Sequence, residues 1–256
     1  MAGPRLELDT RSADAIDGRH VRAVAFHEVR LSYVRKTALD LVGPAARTLV
    51  VGGGRGVLAG GLAGLGLEVT SVDPSPVATE LARESVPGVD FVTAPGEELP
   101  FPDAAFDLVY CADTFEITED LDRVAGEVAR VLRPGGVLVY DTVNRTVPGR
   151  MVYLGAFQAI PFTRIMPPGR YTAGRLRPPG EIDAALAAHG LRGREVCGFK
   201  PASIGRLVSA VLRRRRGRLS DEEIGPLTGF VLDPSGPPVV TYLGWASKDG
   251  PGSRTV

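Results

Sequence analysis

The sequence predicts a doubly wound α/β domain built on a mostly parallel sheet. Three observations carry this prediction. Short apolar runs alternate with helical periods from about residue 45 to residue 140. The links between them are short and marked by glycine or proline. The first apolar run empties directly into a glycine-rich turn, Gly52-Gly53-Gly54-Arg55-Gly56. Strand and helix signals in regular alternation belong to βαβ units, whose crossovers place helices on both faces of a parallel sheet.

A helical pattern from His20 to Leu41 sets Val24, Leu31, Val34 and Leu41 at helical spacing, and Gly43-Pro44 stops it. Leu49-Val50-Val51 is a buried strand. After the glycine turn, Val57, Leu58, Leu62 and Leu65 share a helix face. Val69 to Val72 is the next strand, closed by Asp73-Pro74, and Val77 to Arg83 a short helix. Strands follow at Val89–Val92 and Phe106–Cys111. Leu121, Val124, Val128, Val131 and Leu132 form a helix, and Pro134-Gly135-Gly136 turns the chain into a strand at Val137–Tyr140. Beyond Asn144 the period is lost. Residues 144–180 are rich in Pro, Gly, Arg and aromatic side chains. Helix returns at Ile182–Leu191 and strands at Glu195–Phe199 and Val239–Trp245. The predicted organisation is a flexible N-terminus (1–19), a single domain (20–248) with a substrate-covering insertion at 144–180, and a flexible tail (249–256).

Composition narrows the function. The 256 residues carry no formal net charge, with 44% hydrophobic and 23% charged residues. Such a chain lacks the basic footprint that nucleic-acid binding needs. Two cysteines, Cys111 and Cys197, are too few for a disulfide framework, so a reducing cytoplasm is expected. No apolar run reaches the ~18 residues of a membrane-spanning helix, and the first residues lack the apolar stretch of a signal peptide.

A glycine turn at the first βα junction lets backbone approach a ligand at the crevice of an open sheet. The N–H groups of the following helix meet negative charge there. Asp73, at the end of the second strand, can accept from both hydroxyls of a ribose. These features alone leave the ligand open. Gly54-x-Gly56-x-x-Ala59 also satisfies a dinucleotide pattern, and a tight turn needs no ligand at all.

The later motifs narrow the reading. Val72-Asp73-Pro74-Ser75, Glu98-Leu99-Pro100-Phe101, Phe106-Asp107-Leu108-Val109 and Leu132-Arg133-Pro134-Gly135-Gly136-Val137-Leu138 follow the glycine turn in an order that resembles class I S-adenosylmethionine (SAM)-dependent methyltransferases. His27-Glu28-Val29-Arg30-Leu31-Ser32-Tyr33-Val34, Thr142-Val143-Asn144-Arg145-Thr146 and Met166-Pro167-Pro168-Gly169 extend the resemblance to the ubiquinone-biosynthesis O-methyltransferases, which methylate polyprenylated catechols. The resemblance implies a Rossmann-like fold with a seven-stranded sheet and SAM as cofactor. It implies that Arg30 contacts SAM, pairing with its methionine carboxylate. It also implies a glycine turn at Gly52, Gly54 and Gly56, a ribose carboxylate at Asp73, an adenosine-pocket wall at Ala112, and adenine contacts near Gly96 and Glu97. The chain departs from the family at Val50 and Pro95, where acidic residues are usual.

The catalytic motif of that family, Glu-x-x-Glu-His, reads Asp113-Thr114-Phe115-Glu116-Ile117 here. Both acids survive and the His does not. A phenolic hydroxyl must lose its proton to accept a methyl group, through a base or a metal. Glu116 and Asp113 are therefore the candidate catalytic bases. With no His, a weak Mg²⁺ site made of oxygens is the remaining metal option. A second family feature, His-Asp, falls at Tyr171-Thr172. His20, His27 and His189 lie away from the strand tips. The apolar side chains of 144–180, among them Met151, Phe157, Phe162 and Ile165, suit a hydrophobic acceptor, plain packing, or, with Arg145, Arg150, Arg164 and Arg170 between them, an anionic membrane surface. Arg213–Arg216 reads as a solvated basic helix end. The leading expectation is O-methylation of a small phenolic, quinone-like or isoprenoid metabolite. A SAM-fold protein that transfers no methyl, such as a cyclase or cofactor-binding regulator, is the alternative.

Overall fold

The computed structural model describes residues 4–250. The outermost parts of both expected tails, 1–3 and 251–256, lie outside the described residues. Residues 4–17, within the expected N-terminal tail, carry local structure. β1 (Arg5–Leu6) pairs in parallel with β2 (Ala15–Ile16), and Ala15 and Ile16 are buried. Asp17 then caps α1 (Gly18–Thr37), its carboxylate accepting from the backbone N–H of Arg19 and His20. After the single turn α2 (Leu39–Val42) the sheet begins.

The apolar runs become β3 (Arg47–Val51), β4 (Glu68–Asp73), β5 (Asp90–Thr93), β6 (Phe106–Cys111) and β7 (Leu132–Val143), linked by α3 (Val57–Ala63), α4 (Pro76–Ser85) and α5 (Leu121–Val131). Then come α6 (Val147–Arg150), a π-helix at Met151–Ala159, α7 (Pro179–Ala188), β8 (Leu191–Pro201), α8 (Ile204–Arg215), α9 (Ile224–Thr228), β9 (Phe230–Asp233) and β10 (Thr241–Lys248). The strand order is β5-β4-β3-β6-β7-β10-β8-β9. β3 to β7 are parallel, β10 runs antiparallel to both its neighbours, and β9 is antiparallel to β8. The sheet therefore has eight strands where seven were expected. The eighth, β9, is a four-residue edge strand, paired among the described residues only with β8.

Period-two alternation divides the core. Val50, Leu108, Tyr110, Val137 and Val139 point to one face and pack with Phe26, Val34, Leu58 and Leu62 of α1 and α3. Leu49, Val51, Val109, Cys111, Leu138 and Tyr140 point to the other and pack with Val124, Val128, Ile182 and Leu186 of α5 and α7. The chain reverses direction across the sheet between β3 and β6, so the crevice at their carboxyl ends is the ligand position of an open α/β fold.

The π-helix at Met151–Ala159 and the turns of 160–178 explain the lost period of 144–180. The helix's i→i+5 winding, continued by the bond from the Ile160 N–H to the Gly155 carbonyl (3.0 Å), does not place apolar residues at 3.6-residue spacing. The arginine run also differs in part from a solvated helix end. Arg214 is buried, its Nε donating to Asp221 at 2.6 Å and its Nη2 to the Ala15 carbonyl.

Candidate active site

Four strand tips converge. β3 ends at Gly52, β4 at Asp73, β6 at Ala112 and Asp113, and β7 carries Asp141 near its end. Gly52 has φ +77, and a Cβ there would lie 2.4 Å from the Ala112 carbonyl oxygen and 2.6 Å from the Thr114 hydroxyl. Only glycine lets the turn close this tightly against β6. Asp73 accepts from the backbone N–H of Gly54 (2.8 Å) and of Ser75 (3.0 Å). Those two bonds fix a carboxylate at the edge of the crevice.

Helix α1 crosses above these tips. Arg19 and Arg30 are eleven residues apart, and Arg22 is three beyond Arg19, so all three guanidinium groups lie toward one side of the helix. Arg19 Nη1 donates to Asp73 Oδ1 at 2.9 Å, and its Nη2 pairs with Asp73 Oδ2 and reaches the Gly52 carbonyl at 3.3 Å. The crevice lined by Arg19, His20, Arg30, Gly52, Gly53, Gly54, Ala112 and Asp113 is closed to about 10 Å³. Admission of a nucleoside there requires Arg19 to swing away from Asp73.

Deeper in, three carboxylates share two arginines. Arg30 Nη2 donates to Asp113 Oδ1 (2.6 Å) and Asp141 Oδ2 (2.7 Å). Arg22 contacts Asp113 at 2.8 Å, and both its terminal nitrogens donate to Glu116 Oε1 at 3.0 Å. Thr142 donates to Glu116 Oε2 (3.0 Å), and the Tyr110 hydroxyl to Asp141 Oδ1 (3.1 Å). Asp113 holds a left-handed backbone at φ +49, a strained conformation for a non-glycine residue. Burial pushes the Asp113 carboxyl up, but the guanidinium groups of Arg22 and Arg30 outweigh it and hold the group at about 2. Glu116 is raised by burial, with the Asp113 charge adding to the rise and Arg22 opposing it. Asp141 is pushed up to about 7, chiefly by burial against the pull of Arg30, with the Asp113 and Glu116 charges adding to the rise.

This distribution of charge makes stability depend on pH. An unfolded Asp titrates near 3.9. Between about pH 4 and 7 the native protein therefore holds a proton on Asp141 that the unfolded chain has released, and stability falls as pH rises through that window. Asp113 has the opposite sign, and its contribution is lost only as pH falls toward 2. Asp141→Asn is expected to flatten the decline in urea midpoint between about pH 5 and 7.5, leaving the smaller share of Glu116. An equal decline in the variant would show that Asp141 does not titrate there.

Beyond Arg22 lies an apolar cavity of about 340 Å³. Val21, Ala25 and Phe26 of α1, Val152, Tyr153 and Phe157 of the π-helix, and Leu207, Val211, Ile224 and Phe230 of the C-terminal elements line it. The 144–180 segment thus supplies part of its wall.

Of the sequence-derived site residues, Arg30, Gly52, Gly54, Ala112 and Asp113 line the closed crevice, Asp73 anchors its edge, and Glu116 lies behind Arg22. Gly56 has no place in the crevice wall. It has φ +79 at the start of α3, and a Cβ there would press on the Phe91 ring at 2.9 Å. Its role is to pack the turn against β5. Gly96 packs against Val51 and Val124, and the Glu97 carboxylate accepts from the Thr118 hydroxyl at 2.5 Å. Neither lines the crevice. Sequence reasoning missed Arg19, Arg22, Asp141 and the proximity of His20 to the crevice. Tyr171, at the family's His position, accepts from Arg22 Nη1 at 2.5 Å.

The residues do not fit Mg²⁺. Guanidinium groups already face Asp113 Oδ1 and Glu116 Oε1, and Glu116 Oε2 takes the Thr142 hydroxyl. Among the described residues no group of three or more His, Cys, Asp or Glu side chains is placed to hold a metal ion. Nor, among them, is any helix long and apolar enough to cross a membrane.

Comparison with known proteins agrees with this geometry. Residues 49–140 match a methyltransferase domain family. The ubiquinone biosynthesis O-methyltransferase of Rhizobium etli is 31% identical over 217 residues, covering 77% of this chain and 87% of that protein. That of Xanthomonas euvesicatoria is 35% identical over 188 residues, covering 72% and 77%. Among solved structures, a SAM-dependent methyltransferase from Thermotoga maritima aligns with TM-score 0.61 at 19% identity over 91% of this chain and 94% of its own. The [4+2]-cyclase SpnF aligns with TM-score 0.58 at 19% identity over 98% and 88%. These structural likenesses speak to the fold.

Proposed function

Because this chain belongs to the ubiquinone-biosynthesis O-methyltransferase family and is a SAM-dependent methyltransferase, we propose that it methylates the hydroxyl of a small, largely apolar phenolic or quinol-like acceptor. The observation that carries the reading is the junction at Arg22. An apolar cavity of about 340 Å³ ends at a guanidinium whose other side holds Glu116, a buried carboxylate with its proton affinity raised. An apolar body and a reactive hydroxyl have matching environments there.

The residues of the crevice fit the cofactor. Asp73 would serve the ribose hydroxyls once Arg19 releases it. Arg30, whose Nε has no partner among the described residues, would serve the methionine carboxylate. The backbone of Gly52 to Gly54 allows close approach, as the crevice wall is glycine on that side. Gly56, Gly96 and Glu97 would support the turn and the adenine side from behind. The apolar Val50 faces α1 in the core and offers no charge to the methionine amine.

SAM supplies a methyl group on a sulfonium. Glu116 takes the acceptor's hydroxyl proton, and its raised affinity for that proton suits the task. With SAM bound, the acceptor oxygen would take the methyl group and S-adenosylhomocysteine would be the other product. Asp113, held ionised by two arginines, keeps Arg22 and Arg30 in place. Much of the rate would come from alignment of the two substrates.

Exposed Val147, Met151, Phe162 and Ile204, with Arg150 and Arg164 nearby in sequence, would let this end of the protein touch an anionic membrane that dissolves such an acceptor. The test of the function is calorimetric titration with SAM and S-adenosylhomocysteine, followed by incubation with alkylated phenols and catechols. Micromolar binding and release of S-adenosylhomocysteine on turnover are expected. Absence of cofactor binding would defeat the reading.

A further inference from the structure

Two of the residues that depart from the family pattern, Asp113 and Tyr171, contact Arg22. We propose that Arg22 is the residue that holds the acceptor's reacting oxygen, stabilising it as an oxyanion, and so does with a guanidinium what the family's His-containing motif would otherwise do. The proposal deepens the methyl-transfer reading and rests on it for the identity of the oxygen.

Four observations support it. First, Arg22 lines the cavity while its terminal nitrogens contact Asp113, Glu116 and Tyr171, so it spans from the apolar chamber to the carboxylates. Second, it is the buried charge of that wall. Its side chain is 3% exposed, whereas Lys200 and Asp233 at the same cavity are 60% and 28% exposed and pair with each other at 2.7 Å. Third, Arg22 Nε is buried with no hydrogen-bond partner among the described residues. The guanidinium therefore has one donor uncommitted to the surrounding carboxylates. Fourth, the guanidinium is fixed in advance. Its carbon lies 5.3 Å from the Phe26 ring centroid, 5.0 Å from that of Tyr153 and 5.6 Å from that of Tyr171. Three aromatic faces and two carboxylates leave it little freedom, so little reorganisation is needed when charge develops on the acceptor.

The charge balance also works. Glu116 faces Arg22 at 3.0 Å, and its ionised form is the one that can accept the proton. When the acceptor's proton moves to Glu116, a negative charge leaves that carboxylate and appears on the acceptor oxygen. The guanidinium exchanges one anion for another, and the buried cluster keeps its net charge. After methyl transfer the oxygen is an ether, and Glu116 releases its proton to water. A metal would be redundant in this arrangement.

The test uses 2-octyl-4-nitrophenol, whose phenolate absorbs at longer wavelength than the phenol, titrated with the full-length protein in the presence of S-adenosylhomocysteine. The wild type is expected to bind the probe and lower its pKa by about one unit or more, the scale of a neighbouring opposite charge. Arg22→Met is expected to leave a bound probe with a pKa at or above its value in water, because an apolar cavity favours the neutral phenol. Arg22→Lys keeps the charge but lacks Nε, and is expected to weaken phenolate binding by about tenfold or more while still folding. No depression in the wild type, no binding of the probe, an equal depression in Arg22→Met, or wild-type affinity in Arg22→Lys would each overturn the proposal. Calorimetric titration of the same samples with SAM and S-adenosylhomocysteine reports separately on the methyltransferase reading, which fails only if the wild type binds neither.

Discussion

Glu116→Gln is expected to lower turnover by about 10²- to 10⁴-fold, the range for loss of a general base, while SAM affinity changes by less than about twofold. The separation follows from position. Glu116 is fully buried on the far side of Arg22 from the cavity and has no place in the crevice wall, where Gly52 and Arg30 lie with Asp73 at the edge. The fold should tolerate the change. The raised proton affinity of Glu116 means that its ionised form pays a burial penalty that a neutral amide does not. The Gln oxygen can still accept from Arg22, and Asp113 remains as a charged partner. The acid limb of the wild-type pH–rate profile should lie above the ordinary Glu value and disappear in the variant. Equal losses in turnover and cofactor affinity would assign Glu116 a structural role.

The parts legible in the sequence are those with local causes. β3, β6 and β7 are buried on both faces, so Leu49-Val50-Val51, Leu108-Val109-Tyr110 and Val137–Tyr140 stand out as apolar runs. Gly52 and Asp73 stand out because a tight turn and a strand-end carboxylate leave residue-level marks. β9 and α9 are four and five residues long and too short to carry a period. The π-helix carries the wrong one. The arginines of α1 were hidden for another reason. Each alone resembles a solvated helix residue, and the carboxylate it meets at the strand tips lies 54 to 111 positions away in sequence. One signal was present. Arg22, Phe26, Val29, Arg30 and Tyr33 fall at i, i+4, i+7, i+8 and i+11, which places two arginines within the apolar stripe of their own helix. A charge on a buried face asks for a buried partner. The cavity had no such trace, because α1, the π-helix, α8, α9 and β9 each contribute only a few lining residues.

Asp73→Asn is expected to weaken SAM binding by roughly 10- to 150-fold, the 1.5–3 kcal/mol of a hydrogen bond to a charged group. Asn is preferable to Ala here, since Ala would remove the nearest acceptors of the buried Arg19 guanidinium, leaving only the longer contacts to Asp9 and the Gly52 carbonyl, and mix a folding defect into the result. The amide keeps one oxygen for the Gly54 or Ser75 N–H, which preserves the turn. It cannot accept from two ribose hydroxyls at once while also satisfying the backbone. The kinetics should divide unequally. In the wild type Arg19 spans the crevice by pairing with Asp73, and an entering nucleoside must break that pair. Removing the carboxylate's charge weakens the pair, so the variant's association rate should stay equal or rise. The loss of affinity should appear entirely in dissociation, as stopped-flow binding of SAM would record. A slower association with unchanged dissociation would mean that the Arg19–Asp73 pair does not gate the crevice. Unchanged affinity would mean that Asp73 does not hold the ribose, and that its place at the tip of β4 serves only to anchor Arg19 and the glycine turn.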